Sequence, residues 1–214
     1  MRGKIIFILI VCFLYCNESI AQNTNLIPIK MDKFDIKLFK ENEHAKVYTY
    51  KKGKETISLF DLSDVYRKSI YYEDNAFEDH ISYFKEELTV CGIYRKLYNM
   101  YIGTIKYYDI NGNLEKERNM DAPFPYSIDD VRNWIKKKYD VDIFEKKEGY
   151  MMSRSETPIP HYMLKFLTKD GKFIMYSING VNGEIIFQNI NGEEKEVNPV
   201  DWAKEAAKRK EQKE

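Results

Sequence analysis

In residues 45–60 the runs AKVYTY and ETISLF alternate in character on either side of Lys52-Gly53. Successive side chains of an extended chain point to opposite faces. Val47 and Thr49 therefore fall on one side and Tyr48 and Tyr50 on the other, and Ile57 to Phe60 returns as the second strand of a hairpin. Just upstream, KFDIKLFKENE spaces Phe34, Ile36 and Leu38 by two, which fits either a strand or one helical turn entering a strand. Residues 61–80 are acidic and irregular, with Asp61, Asp64, Glu73, Asp74, Glu78 and Asp79. They are expected to form solvated loops around a short strand holding Tyr71 and Tyr72. From Ile81 onward, apolar-rich runs divided by Gly92, Gly103 and Asn111-Gly112 predict a meander. Asn and Gly tolerate the positive φ of tight hairpin turns, so IKYYD-INGN-LEKER carries the strongest turn signal.

DAPFPYS interrupts this pattern, because Pro123 and Pro125 have no N–H to give a ladder. The period then changes. Ile128, Val131, Ile135 and Tyr139 recur at spacings of three and four, with Trp134 beside them, and Arg132 and Lys136 to Lys138 point mainly elsewhere. This predicts an amphipathic helix, with Ser127 as its N-cap and Asp130 where a carboxylate meets free N–H groups. Four strand-like runs follow, GYMMSRS, HYMLKFLT, KFIMYSIN and GEIIFQNI. Pro158 and Pro160 mark the first loop; Asp170-Gly171 and the Asn179 to Gly183 segment reverse the chain at the next two. These glycines, with Asn191-Gly192, are read as backbone geometry rather than ligand chemistry. In the tail, Asn198 as N-cap and Pro199 at the first helical position predict a helix anchored by Trp202, fraying beyond Ala207.

The amino terminus reads as a secretory signal peptide. Arg2 and Lys4 precede the apolar run Ile5 to Tyr15, which is too short for a bilayer that takes about 20 residues. Ser19 and Ala21 fit cleavage before Gln22. Lipidation at Cys16 is the less favoured route, since a small residue normally precedes such a cysteine and here Tyr15 does. Cleavage leaves Cys91 alone, so no internal disulfide is expected and a buried core must stabilise the chain. The 34 basic and 34 acidic residues cancel without a long run of one sign, which argues against a nucleic-acid partner. Seventeen Tyr and twelve Phe, against only two Trp, favour strands, and tyrosines that alternate within strands leave some rings exposed on an outer face, where a binding surface is expected.

Candidate chemistry is sparse. Cys91 could pair with His44, His80 or His161 as a thiol nucleophile, but it lies in the apolar run LTVCGIY and the histidines are scattered, so core packing is expected. Glu78, Asp79 and His80 are metal-ligand types, yet adjacent residues seldom converge on one ion. Asp109, Asn111 and Asn113 superficially suit calcium, but the EF-hand positions for Gly and Glu hold Leu114 and Met120. Trp134 and Trp202 could offer a sugar platform; Trp134 sits among apolar helix positions and is expected in the core. No catalytic residue, metal site or cofactor is expected.

Two segments resemble known families. GIYRKLYNMYIGTIKYYDINGNLEKE resembles the MORN-variant repeat found in toxin–antitoxin-associated proteins, through Gly103, Tyr107, Tyr108, Asp109, Asn111, Gly112 and Leu114. A degenerate earlier copy runs through Tyr83, Phe84, Leu88 and Gly92, with Glu86-Glu87 where Asn-Gly would stand. Residues 127–190 resemble a PepSY-like module, a helix on an antiparallel sheet, although Asn179 stands in the usual aspartate region and Asn182-Gly183 replaces Thr-Gly. Together with the signal peptide, these features are similar to exported proteins of Bacteroidetes-type bacteria. The resemblances imply binding, inhibitory or structural roles.

The expected fold class is α+β, an antiparallel meander of MORN-like hairpins followed by a PepSY-like helix-on-sheet module. Residues 1–21 are the signal, 22–120 the meander, 121–196 the helix and sheet, and 197–214 the charged helical tail. The expected function is that of a periplasmic or extracellular, non-enzymatic protein that binds another protein or peptide, inhibitory or neutralising in one form. A glycan-binding module, or an envelope hydrolase using the segment around Asp74 to His80, is the alternative.

Overall fold

The computed structural model describes residues 32–211. The signal peptide and the lipidation at Cys16 lie outside the described residues. Among those described, the short helix α1 (Ile36–Asn42) opens the chain, so the two-residue spacing of Phe34, Ile36 and Leu38 belongs to a helix. Asp35 caps it, its Oδ1 accepting the Leu38 N–H at 2.9 Å. Seven strands then pair strictly in sequence order: β1 (Val47–Lys52), β2 (Glu55–Asp61), β3 (Val65–Tyr72), β4 (Phe77–Phe84), β5 (Val90–Leu97), β6 (Met100–Tyr108) and β7 (Leu114–Asn119).

The stretch expected to be solvated loops is instead β3 and β4, full eight-residue strands. Its acids divide by position. Asp64, Glu73 and Asp74 lie outside the strands, whereas Glu78 and Asp79 occupy successive strand positions and so face opposite sides. Gly92 and Gly103 also differ from expectation, since both lie within strands. Gly103 takes φ +65° where the β5–β6 register shifts, the behaviour of a bulge glycine. The turns between β4 and β5 and between β5 and β6 use Leu88 and Tyr98 at positive φ. Between β6 and β7 the Asn111-Gly112 turn stands as read, with Gly112 at φ +85°.

Helix α2 (Ile128–Tyr139) begins with a full capping box: Ser127 Oγ accepts the Asp130 N–H, and Asp130 Oδ2 accepts the Ser127 N–H at 2.9 Å. Ile128, Val131 and Ile135 are its buried residues. The second sheet comprises β8 (Met151–Ser155), β9 (His161–Leu167), β10 (Phe173–Asn179), β11 (Ile185–Ile190) and β12 (Glu193–Glu196), all antiparallel, in the order β12-β11-β10-β9-β8. The all-charged β12 is a strand beyond those expected, paired through Asn191-Gly192, where both residues have positive φ. Gly180 has a role other than reversal: a Cβ there would lie 2.6 Å from the Phe124 ring. Helix α3 (Trp202–Glu211) starts later than Asn198 and continues past Ala207. Asp201 accepts the Lys204 N–H at 3.0 Å, while the Asn198 amide is turned away to donate to the Ile185 carbonyl at 2.8 Å.

Strand alternation sorts the seven-stranded sheet into two faces, and one of them is covered twice. At the β1–β4 end, Phe34 and Phe39 seal Ile57, Tyr66 and Tyr83, with Phe34 stacked on Tyr66 at 4.6 Å between ring centroids. At the β5–β6 end, Leu97, Met100 and Ile102 join Val131 and Ile135 of α2 and Phe166 of the second sheet in one core. That core crosses residue 120, so the segments on either side of DAPFPYS are packed together. Leu97→Ala, from the first sheet, is expected to lower stability by about 2–5 kcal/mol. Chemical denaturation followed separately by Trp134 fluorescence and far-UV circular dichroism should give one coincident transition; two transitions, with only one shifted, would contradict a shared core.

Candidate functional site

The residues singled out by chemistry do not converge. Asp79 faces the covered side, 2% exposed, between the two apolar clusters. Arg95 Nε donates to its Oδ1 at 2.5 Å and Arg95 Nη2 to its Oδ2 at 2.7 Å, while the Tyr72 hydroxyl donates to Oδ2 at 2.6 Å. The cross-strand row Ile57, Ile70, Asp79, Arg95 and Ile102 shows why: the ion pair bridges one cluster to the other across the sheet. Burial first, then the hydrogen bond to Asp79, pushes the Tyr72 phenol well up. A concavity of about 380 Å³ borders this network, lined by Lys68, Glu55, Tyr50 and Tyr72 beside the first described residues. Its charges are of both signs, and Asp79 already has three donors.

Glu78 and His80 face the other side. His80 Nδ1 lies 2.8 Å from Ser69 Oγ, and its Nε2 lies 3.3 Å from Glu78 Oε2. The order Ser, His, Glu has the outline of a hydrolytic triad. Its access does not fit one: Ser69 is 1% exposed, beneath a His80 ring stacked on Tyr94 at 4.6 Å. A substrate carbonyl has no route to that hydroxyl. The relay instead satisfies buried polar groups on a strand face. His44 is exposed near the start of β1, and His161 is buried, with Nδ1 2.9 Å from the Ile159 carbonyl oxygen. No group of three or more His, Cys, Asp or Glu side chains among the described residues is placed to hold a metal. Asp109 spends its carboxylate on the turn, accepting the N–H groups of Asn111 at 2.9 Å and Asn113 at 2.8 Å. Trp134 packs partly buried against Tyr176, and Trp202 against His161.

The feature with an open approach and a coherent chemistry is a groove of about 570 Å³ on the uncovered face of the seven-stranded sheet. Register builds it. Arg67, Ser82, Gly92, Tyr107 and Lys116, from five successive strands, fall on one cross-strand row. Gly92 leaves a notch in the floor, with Tyr107 alongside and Tyr94 and Tyr101 on the wall. The lining holds Arg67, Lys116 and Arg118 and no carboxylate. Arg118 is engaged by Glu156 at 2.7 Å, whereas Arg67 and Lys116 have no ion pair among the described residues. Arg67 Nε is also buried without a hydrogen-bond partner, an unusual expense for a guanidinium. Cys91 lines this groove half-buried rather than lying in the core as expected. Burial pushes its thiol up, with Arg67 acting weakly in the opposite sense, so it is protonated and a poor nucleophile.

Comparison with models of known protein families, with curated proteins and with solved structures returns no match. No helix among the described residues is long and apolar enough to cross a membrane.

Removing Asp79 tests the buried network. Asp79→Ala leaves the Arg95 charge desolvated and is expected to cost about 3–5 kcal/mol in urea denaturation, while Asp79→Leu combined with Arg95→Met recovers most of the loss. Equal instability of single and double variants would show that shape, not charge pairing, matters there.

Proposed function

We propose that this chain is an exported, non-catalytic protein-binding protein whose recognition surface is the open face of the seven-stranded sheet. The observation that carries this reading is the asymmetry of that sheet: one face is sealed by α1, α2 and the second sheet, and the other leaves Tyr101 38% and Tyr107 45% exposed around a notch. Tyrosine suits such a surface, since a rigid ring gives large contact area at small entropy cost and its hydroxyl finds partners at the rim. The groups on this face that could do chemistry are sealed, in the case of Ser69, or protonated, in the case of Cys91. Export rests on the signal-like residues 1–21. On this reading β6 and β7 form a MORN-like hairpin that presents Tyr107, and α2 with β8–β11 is a PepSY-like module that braces the sheet from behind. Inhibition or neutralisation of the bound protein is the specific form these resemblances favour.

The experiment places a photo-cross-linking benzoylphenylalanine at Tyr101, at Tyr107 and, as a control, at Leu167 on the second sheet, in the cells that produce the protein. Discrete cross-linked protein from the first two positions and none from Leu167 is the expected outcome. Products from Leu167 alone, or none from any position, would overturn the assignment of the face.

A further inference from the structure

Resting on the reading of the open face as a protein-binding surface, we infer that the segment it takes is an extended acidic peptide. One carboxylate is held by Arg67 and a second by Lys116, and the intervening chain lies over the Gly92 notch against Tyr107 and Tyr94.

Three observations lead here. The first is charge. The chain as a whole is balanced at 34 basic and 34 acidic residues, yet the groove gathers three cations and excludes every carboxylate from its lining. Glu156 engages Arg118, so the uncompensated charge sits at the two ends of the row, on Arg67 and Lys116. A partner of opposite sign is steered to it and held there. The second is the buried, unpartnered Nε of Arg67. A guanidinium offers its N–H groups as a planar fork that matches a carboxylate; with Nε enclosed, the terminal Nη groups at the groove lining are the ones to meet it, and the charge the fold has already partly desolvated regains a counter-ion. The third is the balance of donors and acceptors. Arg, Lys, Tyr and Ser side chains line the groove, without Asp, Glu, Asn or Gln. A neutral saccharide, all hydroxyl donors and acceptors, would leave the cations without a counter-charge and find only the Tyr and Ser oxygens as acceptors, whereas a carboxylate only accepts and matches them. This favours a carboxylate-bearing occupant over a neutral glycan, and the protein-binding reading of the face makes that occupant a peptide.

Geometry sets the spacing. Arg67 on β3 and Lys116 on β7 are four strand intervals apart, about 19 Å at about 4.8 Å each. An extended peptide advances about 3.3 Å per residue, so acidic side chains about five to six positions apart match the two cations. Gly92 explains the room between them. A Cβ there would come no closer than 3.7 Å to a neighbour, and the backbone is not in the left-handed region, so the notch is open space that a larger side chain would fill.

The test is isothermal titration calorimetry of the full mature chain at low ionic strength, with five probes: hexaglutamate, hexaglutamine, hexalysine, hexagalacturonate and the single-stranded oligonucleotide dT6. Hexaglutamate should bind and hexaglutamine should not. Arg67→Gln and Lys116→Gln should each weaken hexaglutamate by about tenfold. Gly92→Leu should abolish binding with both cations intact, and Arg67→Glu combined with Lys116→Glu should transfer the preference to hexalysine. Lys116 is exposed, so its variants keep the fold even if those of Arg67 do not. Tighter binding of hexagalacturonate would overturn the peptide occupant in favour of an acidic glycan. Equal binding of dT6 would reduce the groove to an unselective anion site and overturn it too. No binding of any acidic probe, while cross-links at Tyr101 persist, would overturn the acidic inference and leave the binding face standing. Loss of those cross-links with hexaglutamate binding intact would do the reverse.

Discussion

The two-residue period of a β-strand, applied across seven strands, is the constraint on which this architecture depends. Each strand must present one side to each face, and the described residues supply cover for only one of them. Phe34 and Phe39 close the β1–β4 end of that face; α2 and the second sheet close the β5–β6 end. Because both covers dock on the same side, the opposite side is left to solvent with its tyrosines in place. Sequence order and spatial order coincide in the meander, so this division follows from local pairings and needs no crossover.

The covered face carries one charged pair where its two clusters meet. Asp79 and Arg95 sit between Ile70 and Ile102 in a single cross-strand row, and Tyr72 completes the carboxylate's partners. A buried pair of this kind adds little net stability over apolar side chains, but it disfavours other registers, because a slip of one residue between β4 and β5 would turn the two charges to opposite faces. The same register aligns Arg67, Ser82, Gly92, Tyr107 and Lys116 on the open side. Behind the sheet, Arg154 joins the two halves, donating to the Met120 carbonyl at 2.9 Å and lying 2.8 Å from Asp121 Oδ1, while Asp121 Oδ2 accepts the Gly103 N–H at 2.8 Å.

What the sequence made legible was mostly local. The β1–β2 hairpin, the Asn111-Gly112 turn, the capped helix α2 and the strands β8–β11 all follow from short-range pattern and turn chemistry. The failures share one cause, which is pairing at a distance. Glu78 and Asp79 looked like loop acids because Arg95, which neutralises Asp79, is far along the chain. Gly92 and Gly103 looked like turns because a bulge and a notch also need glycine, while the real turns use Leu88 and Tyr98, whose side chains give no such signal. Strand β12 is wholly charged and exists through its backbone pairing with β11. The groove was out of reach for the same reason: its residues come from five strands, and only the register sets them in line. Alternating tyrosines on strands were the one signal available, and they pointed to a face without locating it.

The central claim is that one tyrosine-bearing face of the seven-stranded sheet is open in the isolated protein. Nitration of the native chain with tetranitromethane, mapped residue by residue with mass spectrometry over time, tests it most directly. The account predicts rapid modification of Tyr101 and Tyr107 and protection of Tyr66, Tyr83, Tyr162 and Tyr176 until the chain unfolds. Protection of Tyr101 and Tyr107 in the folded monomer, at a level matching the buried set, would contradict it.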